Sequence, residues 1–371
     1  MARAFVLLLS FLIGVSFSAE HGVWIVRNSL NDPSDLRLLE TLQKQFALSD
    51  VYVQVRALGR NFIPQKRDDN RPDLKEIIRF CRKNNIRFHA WLNVFYIHGL
   101  TDPQADKAND PAWQENHIMT DFSGKLLTPT KLKNAGLEGY FVDPQGEENL
   151  RQIKELIKKM LVDYRVDGIH LDYFRYPHYP FHYSNFLRAK FLRLFFIDPA
   201  KLQHYSNAYS VLQGPAAWQY MAQKYQRFLK NELSKTLQYL TDYIKNINSR
   251  CIVSVAVKPN PEQAQKMYAQ NWPEWLDRNA CDDVILMNYS PDETEFKKNL
   301  KRAKSIKRDN RIVIGIGAYY LESDQINRRI QLVKRAGFKG YCLFSFTSFK
   351  EKPNLLVKRP LPAVMGIKWK R

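Results

Sequence analysis

The sequence predicts an α/β protein, a closed (β/α)8 barrel, and three observations carry that reading. Eight short apolar runs recur between residues 23 and 346, amphipathic helical segments separate them, and each run ends in charged, amide or aromatic residues. Buried parallel strands read this way when their C-terminal ends open into a site.

Val23 to Val26 is the first strand, ending at Arg27 and Asn28, and Pro33 with Asp35 opens a helix carrying Leu36, Leu39, Leu42 and Phe46 on one face. Val51 to Val55 is the second strand, with Arg56 at its end. Leu74, Ile77, Ile78 and Cys81 mark the helix behind it. Ile86 to Val94 is the third strand, carrying His89, Trp91 and Asn93. A long insertion follows from Tyr96 to Glu138 without clear periodicity, and connections of that length are usually functional; it is expected to form a wall of the site. Asp143-Pro144 reads as a helix start, with the carboxylate as cap, ahead of Leu150, Ile153, Leu156, Ile157, Met160 and Leu161.

The fourth strand, Gly168 to Leu171, breaks abruptly into Asp172-Tyr173-Phe174-Arg175-Tyr176-Pro177. A second insertion, residues 178 to about 214, is crowded with aromatics; Phe186, Leu187, Phe191, Leu194 and Phe195 keep helical spacing, which suits either a lid or an internal helix. Trp218 to Ile247 is one long amphipathic helix. Strands then recur at Ile252 to Val257, Val284 to Met287, Arg311 to Ile316 and Tyr341 to Phe346. The helix carrying Phe296, Leu300, Ala303 and Ile306 follows the sixth strand, and the one carrying Ile326, Ile330 and Val333 stops at Gly337.

The 371 residues hold 57 Lys plus Arg against 37 Asp plus Glu, a formal charge of +20. Such a charge bears on partners and not on fold. Arg3, the apolar run Ala4 to Val15 and the small residues Ser16 to Ala19 make residues 1–19 an expected signal peptide, cleaved after Ser18 or Ala19. The protein is therefore expected to be exported, periplasmic or secreted, with no stable membrane span. Residues 20–349 form the expected barrel, and residues 350–371 a basic tail. Cys81, Cys251, Cys281 and Cys342 read as buried thiols, although Cys251 and Cys281 would meet at the barrel floor if their strands are neighbours. No metal-ligand spacing, Gly-rich phosphate loop or Gly-x-Ser-x-Gly elbow occurs, so neither a cofactor nor a metal is expected.

At the strand ends the barrel would gather Arg27, Asn28, Arg56, Trp91, Asn93, Asp172, Tyr173, Arg175, Lys258, Asn288, Tyr289 and Tyr319 in one bowl, with His170 also expected to contact substrate. Aromatic faces stack on sugar rings while amides, guanidinium and carboxylate groups meet hydroxyls, so the mixture suits a carbohydrate. Glycoside hydrolysis normally uses two carboxylates. Asp172 is one; Glu293 is preferred as the second over Glu262, Asp292, Asp121 and Asp143, because a loop glutamate after the sixth strand can reach across. A substrate-assisted route needs only one.

His89-Ala90-Trp91-Leu92-Asn93, Val142-Asp143-Pro144 and above all Asp167 to Pro177 resemble the bacterial glycosyl-hydrolase-like family ten. Val53-Gln54-Val55-Arg56 and Trp272-Pro273-Glu274-Trp275-Leu276 are also similar to its pattern, and the likeness runs from about residue 21 to 348. The resemblance implies a TIM barrel, export, and glycosidase activity on amino-sugar polymers, including peptidoglycan glycan strands, and through a more distant similarity to amylase-like barrels it implies Asp172 as nucleophile. The expected function is thus an exported glycoside hydrolase acting on an anionic carbohydrate polymer. The alternative is a carbohydrate-binding pseudo-enzyme of the envelope; nucleic-acid binding has no supporting motif.

Overall fold

A computed structural model describes residues 20–65, 71–101, 110–202 and 208–356. The expected signal peptide and most of the basic tail lie outside the described residues. Eight parallel strands close on themselves: β1 (Glu20–Ile25), β2 (Asp50–Ala57), β3 (Arg87–Asn93), β4 (Gly168–Asp172), β5 (Ile252–Val257), β6 (Asp283–Asn288), β7 (Ile312–Gly317) and β8 (Gly340–Phe344). Closure is seen at β1, where Gly22 aligns with Asp50 of β2 on one side and with Cys342 of β8 on the other. Every expected strand forms. The eighth ends early, because Ser345 caps a helix, Phe346–Glu351, whose Phe346 and Phe349 turn into the core.

Period-two alternation divides each strand between two cores. Val23, Val51, Val53, Ile169 and Leu171 point outward and pack under the helices. Trp24, Tyr52, Trp91, Ile285, Val313 and Cys342 point inward and fill the barrel. The floor is ionic: Lys339 meets Glu20 at 3.0 Å and Asp283 at 2.5 Å, while Arg87 meets Asp50 at 2.8 Å. Burial, then the neighbouring Glu20 charge, pushes the Asp283 carboxyl up to about 6.

The helices form where the sequence places them. Asp32 and Asp73 cap the helices Pro33–Phe46 and Leu74–Lys83, whose buried faces are Asp35, Leu39, Leu42 and Phe46, and Leu74, Ile77, Ile78 and Cys81. Ser323–Ala336 ends at Gly337, whose φ of 70° closes the last turn. Asp143 departs from its expected role. The helix behind it, Glu147–Val162, starts four residues later from Gly146 without a side-chain cap. The Asp143 carboxylate instead accepts hydrogen bonds from Ser184 Oγ (2.5 Å) and the Gln145 amide (2.8 Å) and faces His117 Nδ1 at 3.1 Å.

Between β3 and that helix, Tyr96–Gly99 pairs antiparallel with Gly139–Phe141, and a bridge from Thr120 to Tyr183 joins the two long connections. The aromatic connection holds a helix, Asn185–Phe195, with Leu187 and Phe191 buried, whereas Leu194 is exposed. The following helix, Ala208–Ile247, is interrupted at Gly214 (φ 81°) and Pro215, so its regular part begins just before Trp218. Cys251 and Cys281 precede neighbouring strands yet are free and buried, as are Cys81 and Cys342. Among the described residues no helix is long and apolar enough to cross a membrane.

The closure seam is the tightest place in the barrel. A Cβ on Gly340 would lie 1.7 Å from the Glu20 carbonyl oxygen, which belongs to backbone and cannot swing away. Gly340→Ala is expected to cost at least about 2 kcal/mol, read as a lowered urea midpoint with an unchanged m-value.

Candidate active site

Strand β4 turns Gly168, His170 and Asp172 inward. Gly168 has no side chain because His89 of β3 occupies that space, its Nδ1 lying 2.1 Å from where a Cβ would stand. His170 fills the middle of the barrel. Its Nε2 accepts from Trp24 Nε1 at 3.1 Å, which leaves Nδ1 protonated to donate to Ser254 Oγ at 2.9 Å. Burial, reinforced by nearby His89, drives its pKa well below the ordinary histidine value, so the ring is neutral. His170 was expected to contact substrate. It is fully buried with both nitrogens engaged, and its place is the layer beneath Asp172.

Asp172 stands at the mouth with both carboxylate oxygens held. Trp91 Nε1 donates to Oδ2 at 3.1 Å and the Tyr173 amide to Oδ1 at 2.6 Å. The latter contact requires the turn at Tyr173, whose φ of 50° lies in the left-handed region and costs about 1 kcal/mol. Burial raises the Asp172 pKa and the charge of Glu138 adds to that; the Tyr173 amide, Arg175 and Trp91 pull it down without cancelling the rise. Glu138, at the end of the first long connection, is the second carboxylate of this mouth. It pairs with Arg175 at 3.2 Å and is half exposed. Arg175 in turn lies 4.9 Å from the ring centre of Tyr173, 5.1 Å from that of Tyr268 and 5.3 Å from that of Phe141. Tyr173 stacks on Tyr96 at 4.7 Å. Lys258, at the end of β5, lies over the other aromatic neighbour, Tyr268, at 5.1 Å. Its ammonium is pushed down to about 8, first by burial and then by Arg175, with Glu138 and Asp172 partly offsetting the fall.

Over residues 22–333 the sequence matches the family described as glycosyl hydrolase-like 10. The chain belongs to that family. A search of curated proteins finds no match. Among solved structures, the glycoside hydrolase domain of PgaB (BpsB) from Bordetella bronchiseptica superposes with a TM-score of 0.64 at 16% identity, over 91% of this chain and 97% of that one. The catalytic domain of β-amylase from Paenibacillus polymyxa gives 0.56 at 12%, over 89% and 93%. The β-galactosidase from Rahnella sp. R3 gives 0.59 at 10%, over 89% and 51%. At such identities the likeness is one of fold.

The remaining expected residues of this glycosyl hydrolase-like barrel divide in two. Asn93 sits beside Asp172 in register and accepts from Gln54 Nε2 at 3.2 Å; Gln54 Oε1 takes the Arg27 guanidinium at 3.3 Å, so Arg27, Gln54 and Asn93 form a polar chain leading to the carboxylate. Asn28 is exposed on the rim, beside a cavity of about 230 Å³ between the ends of β1 and β2. Tyr289 stacks on Phe344 at 5.0 Å and meets Trp24 and Tyr319 edge-on, and its hydroxyl is close enough to feel the Asp172 charge. Three expected residues lie elsewhere. A bulge between Gln54 and Arg56 reverses the alternation of β2, so Arg56 aligns with outward-facing Leu92 and binds Asn149 and Gln152 of the helical layer at 3.2 and 3.0 Å. Asn288 likewise faces outward, donating to Phe296 O and accepting from Asn299 at 3.0 Å. Glu293 opens the helix Glu293–Lys304, where Lys297 holds it at 2.6 Å and Arg328 at 3.9 Å. It is not brought to Asp172. Glu138 takes that place, and the sequence signal for it was weak: one acid closing a long irregular stretch, immediately before Gly139.

Trp91→Phe removes a donor that favours the ionised carboxylate while conserving the ring. The Asp172 pKa is expected to rise further in a carboxyl-detected NMR titration of labelled protein, and an unchanged value would show that the indole does not hold the ionised form.

Proposed function

We propose that this protein is an exported glycoside hydrolase that cleaves glycosidic bonds in an amino-sugar polymer, with peptidoglycan glycan strands as its substrate. The observation that carries this reading is the mouth itself: a buried, inward-facing carboxyl with a raised pKa, coupled to a second carboxylate and ringed by aromatic faces. A raised pKa suits Asp172 to hold and deliver a proton to the leaving oxygen, in place of the nucleophilic role that the family resemblance implies. Glu138 then serves as the base or nucleophile on the other face of the sugar, oriented by Arg175. Half-buried Tyr289 and Tyr319 offer aromatic surface to sugar rings.

The anionic character of the substrate is supported by Lys258 and Arg175 beside the reacting group, together with the formal charge of +20. Muramic acid stripped of its peptide carries a carboxylate on every second sugar, which such cations would meet. A second reading, carbohydrate binding without hydrolysis, draws on the ion pair that engages Glu138 with Arg175.

Release of reducing ends from denuded glycan strands tests both. Asp172→Asn and Glu138→Gln are each expected to lose activity on the order of 10³-fold with an unchanged fold, whereas Glu293→Gln keeps it. Undiminished turnover by the Asp172 variant removes that residue from the mechanism, and binding by wild type without any new reducing ends favours the second reading. Affinity for carboxylate-bearing strands is expected to fall as pH rises through about 8, where Lys258 gives up its charge. A neutral chitooligosaccharide of equal length, titrated in parallel, is expected to show no such fall.

A further inference from the structure

Beside the mouth lies a separate cavity of about 1030 Å³ that the chemistry at Asp172 does not use. Its walls are the connection after β4, the first turns of the long helix from Trp218 onward, and the helix Pro261–Tyr268 that follows β5. Topology places it on the same face as Asp172. The first and third walls follow strands at their C-terminal ends, and the long helix starts at the mouth because it returns the chain to the beginning of β5 at Ile252.

Met267 and Tyr268 stand between the cavity and the mouth. Tyr268 faces the mouth, lying under both Arg175 and Lys258, while Met267 lines the cavity. Their carbonyls also pin the continuation of β4: the Tyr176 amide donates to Tyr268 O at 3.2 Å and the Tyr179 amide to Met267 O at 2.9 Å. Tyr179 is thus anchored by its backbone on the cavity side while 41% of it is exposed. Its ring meets His182 edge-on with centres 6.0 Å apart, and a ring packed in this way loses less conformational freedom when something stacks on it.

Much of the lining is apolar, with Leu202, Ala222 and Met267 among it, and on this surface stand the rings of Tyr179 and Trp218 and the amides of Gln219, Gln223, Gln226 and Gln265. Primary amides meet vicinal hydroxyls and acetamido groups, and the rings meet the apolar faces of pyranoses. Three cations, Arg227, Lys230 and Lys266, face the cavity against one carboxylate, Glu262. At about 1030 Å³ the volume stands at the upper end of ligand clefts and leaves room for more than one sugar ring.

We propose that this cavity is a distal glycan subsite, which holds a stretch of an acidic amino-sugar chain beyond the sugars engaged at Asp172. It extends the substrate reading given above to long, carboxylate-bearing strands, and it makes chain length a determinant of affinity.

The test is titration calorimetry of the full chain with denuded glycan strands, with a disaccharide from them and with a neutral chitooligosaccharide of matched length, alongside hydrolysis of the long strands. Tyr179→Ala is expected to weaken binding of the long strands about tenfold, the equivalent of one aromatic stacking contact, and to leave the disaccharide unchanged. Arg227→Glu, an exposed position that tolerates charge reversal, is expected to weaken the acidic strands and spare the neutral oligomer. In hydrolysis, KM rises for long strands with kcat unchanged. Equal affinity of wild type and both variants for long strands overturns the subsite, and equal loss on neutral and acidic chains overturns its acidic preference. If wild type hydrolyses the strands and neither variant changes KM, this inference falls alone. If wild type releases no reducing ends yet the variants lose long-strand affinity, the hydrolase reading falls and the subsite stands.

Discussion

The hydrogen bond from Trp24 to His170 is the constraint on which the mouth rests. Trp24 stands near the middle of the barrel, touching Tyr52, His170, Tyr289 and Phe344 with ring centres about 6 Å apart, so one side chain ties β1 to β2, β4, β6 and β8. Its indole N–H needs an acceptor in that dry interior, and a neutral imidazole supplies one. The imidazole's other nitrogen must then donate, which Ser254 of β5 accepts. A protonated His170 could not accept from Trp24, so burial, tautomer and packing agree on one state. Two residues further along the same face of β4 comes Asp172, which inherits its position from this layer.

Above that layer the chemistry is a contest between dehydration and hydrogen bonding. Trp91 and the Tyr173 amide give the carboxylate two donors, and the second is obtained by holding a tyrosine in a left-handed conformation. Burial outweighs the donors, which leaves a carboxyl able to carry a proton closer to neutrality than a free aspartate does. Arg175 pairs with Glu138, lowers the Asp172 pKa through its charge and covers three aromatic rings, and a planar guanidinium suits that mixed task better than a lysine would. The barrel wall thus supplies one carboxylate and an inserted connection the other.

Much of this is legible in the sequence. Strand runs were short, branched and bounded by site-like residues, and the β4 motif placed Asp172 and Arg175 at the mouth without ambiguity of face, because Gly168, His170 and Asp172 alternate regularly. Alternation failed at β2, where the bulged residue Val55 turns Arg56 outward; nothing in Val-Gln-Val-Arg marks a bulge. At β6 the uncertainty was one of phase. Asn288 and Tyr289 both end the strand, and only the helix behind, with Phe296 and Asn299 ready to hold an amide, decides which of them turns inward. Glu293 looked available because it follows that strand closely, yet the first turn of a helix also favours an acid for local reasons, with Lys297 one turn on.

The sequence by itself determined the barrel, its helical faces and the carboxylate at the end of β4, since those depend on periodicities of two and about 3.6 that neighbouring residues carry among themselves. Tertiary structure alone decided the partner of that carboxylate and the compartment beyond Tyr268. Glu138 and Arg175 are 37 residues apart, and Tyr179 and Met267 belong to different connections. No local pattern encodes their meeting, because it follows from how two insertions dock over a closed sheet.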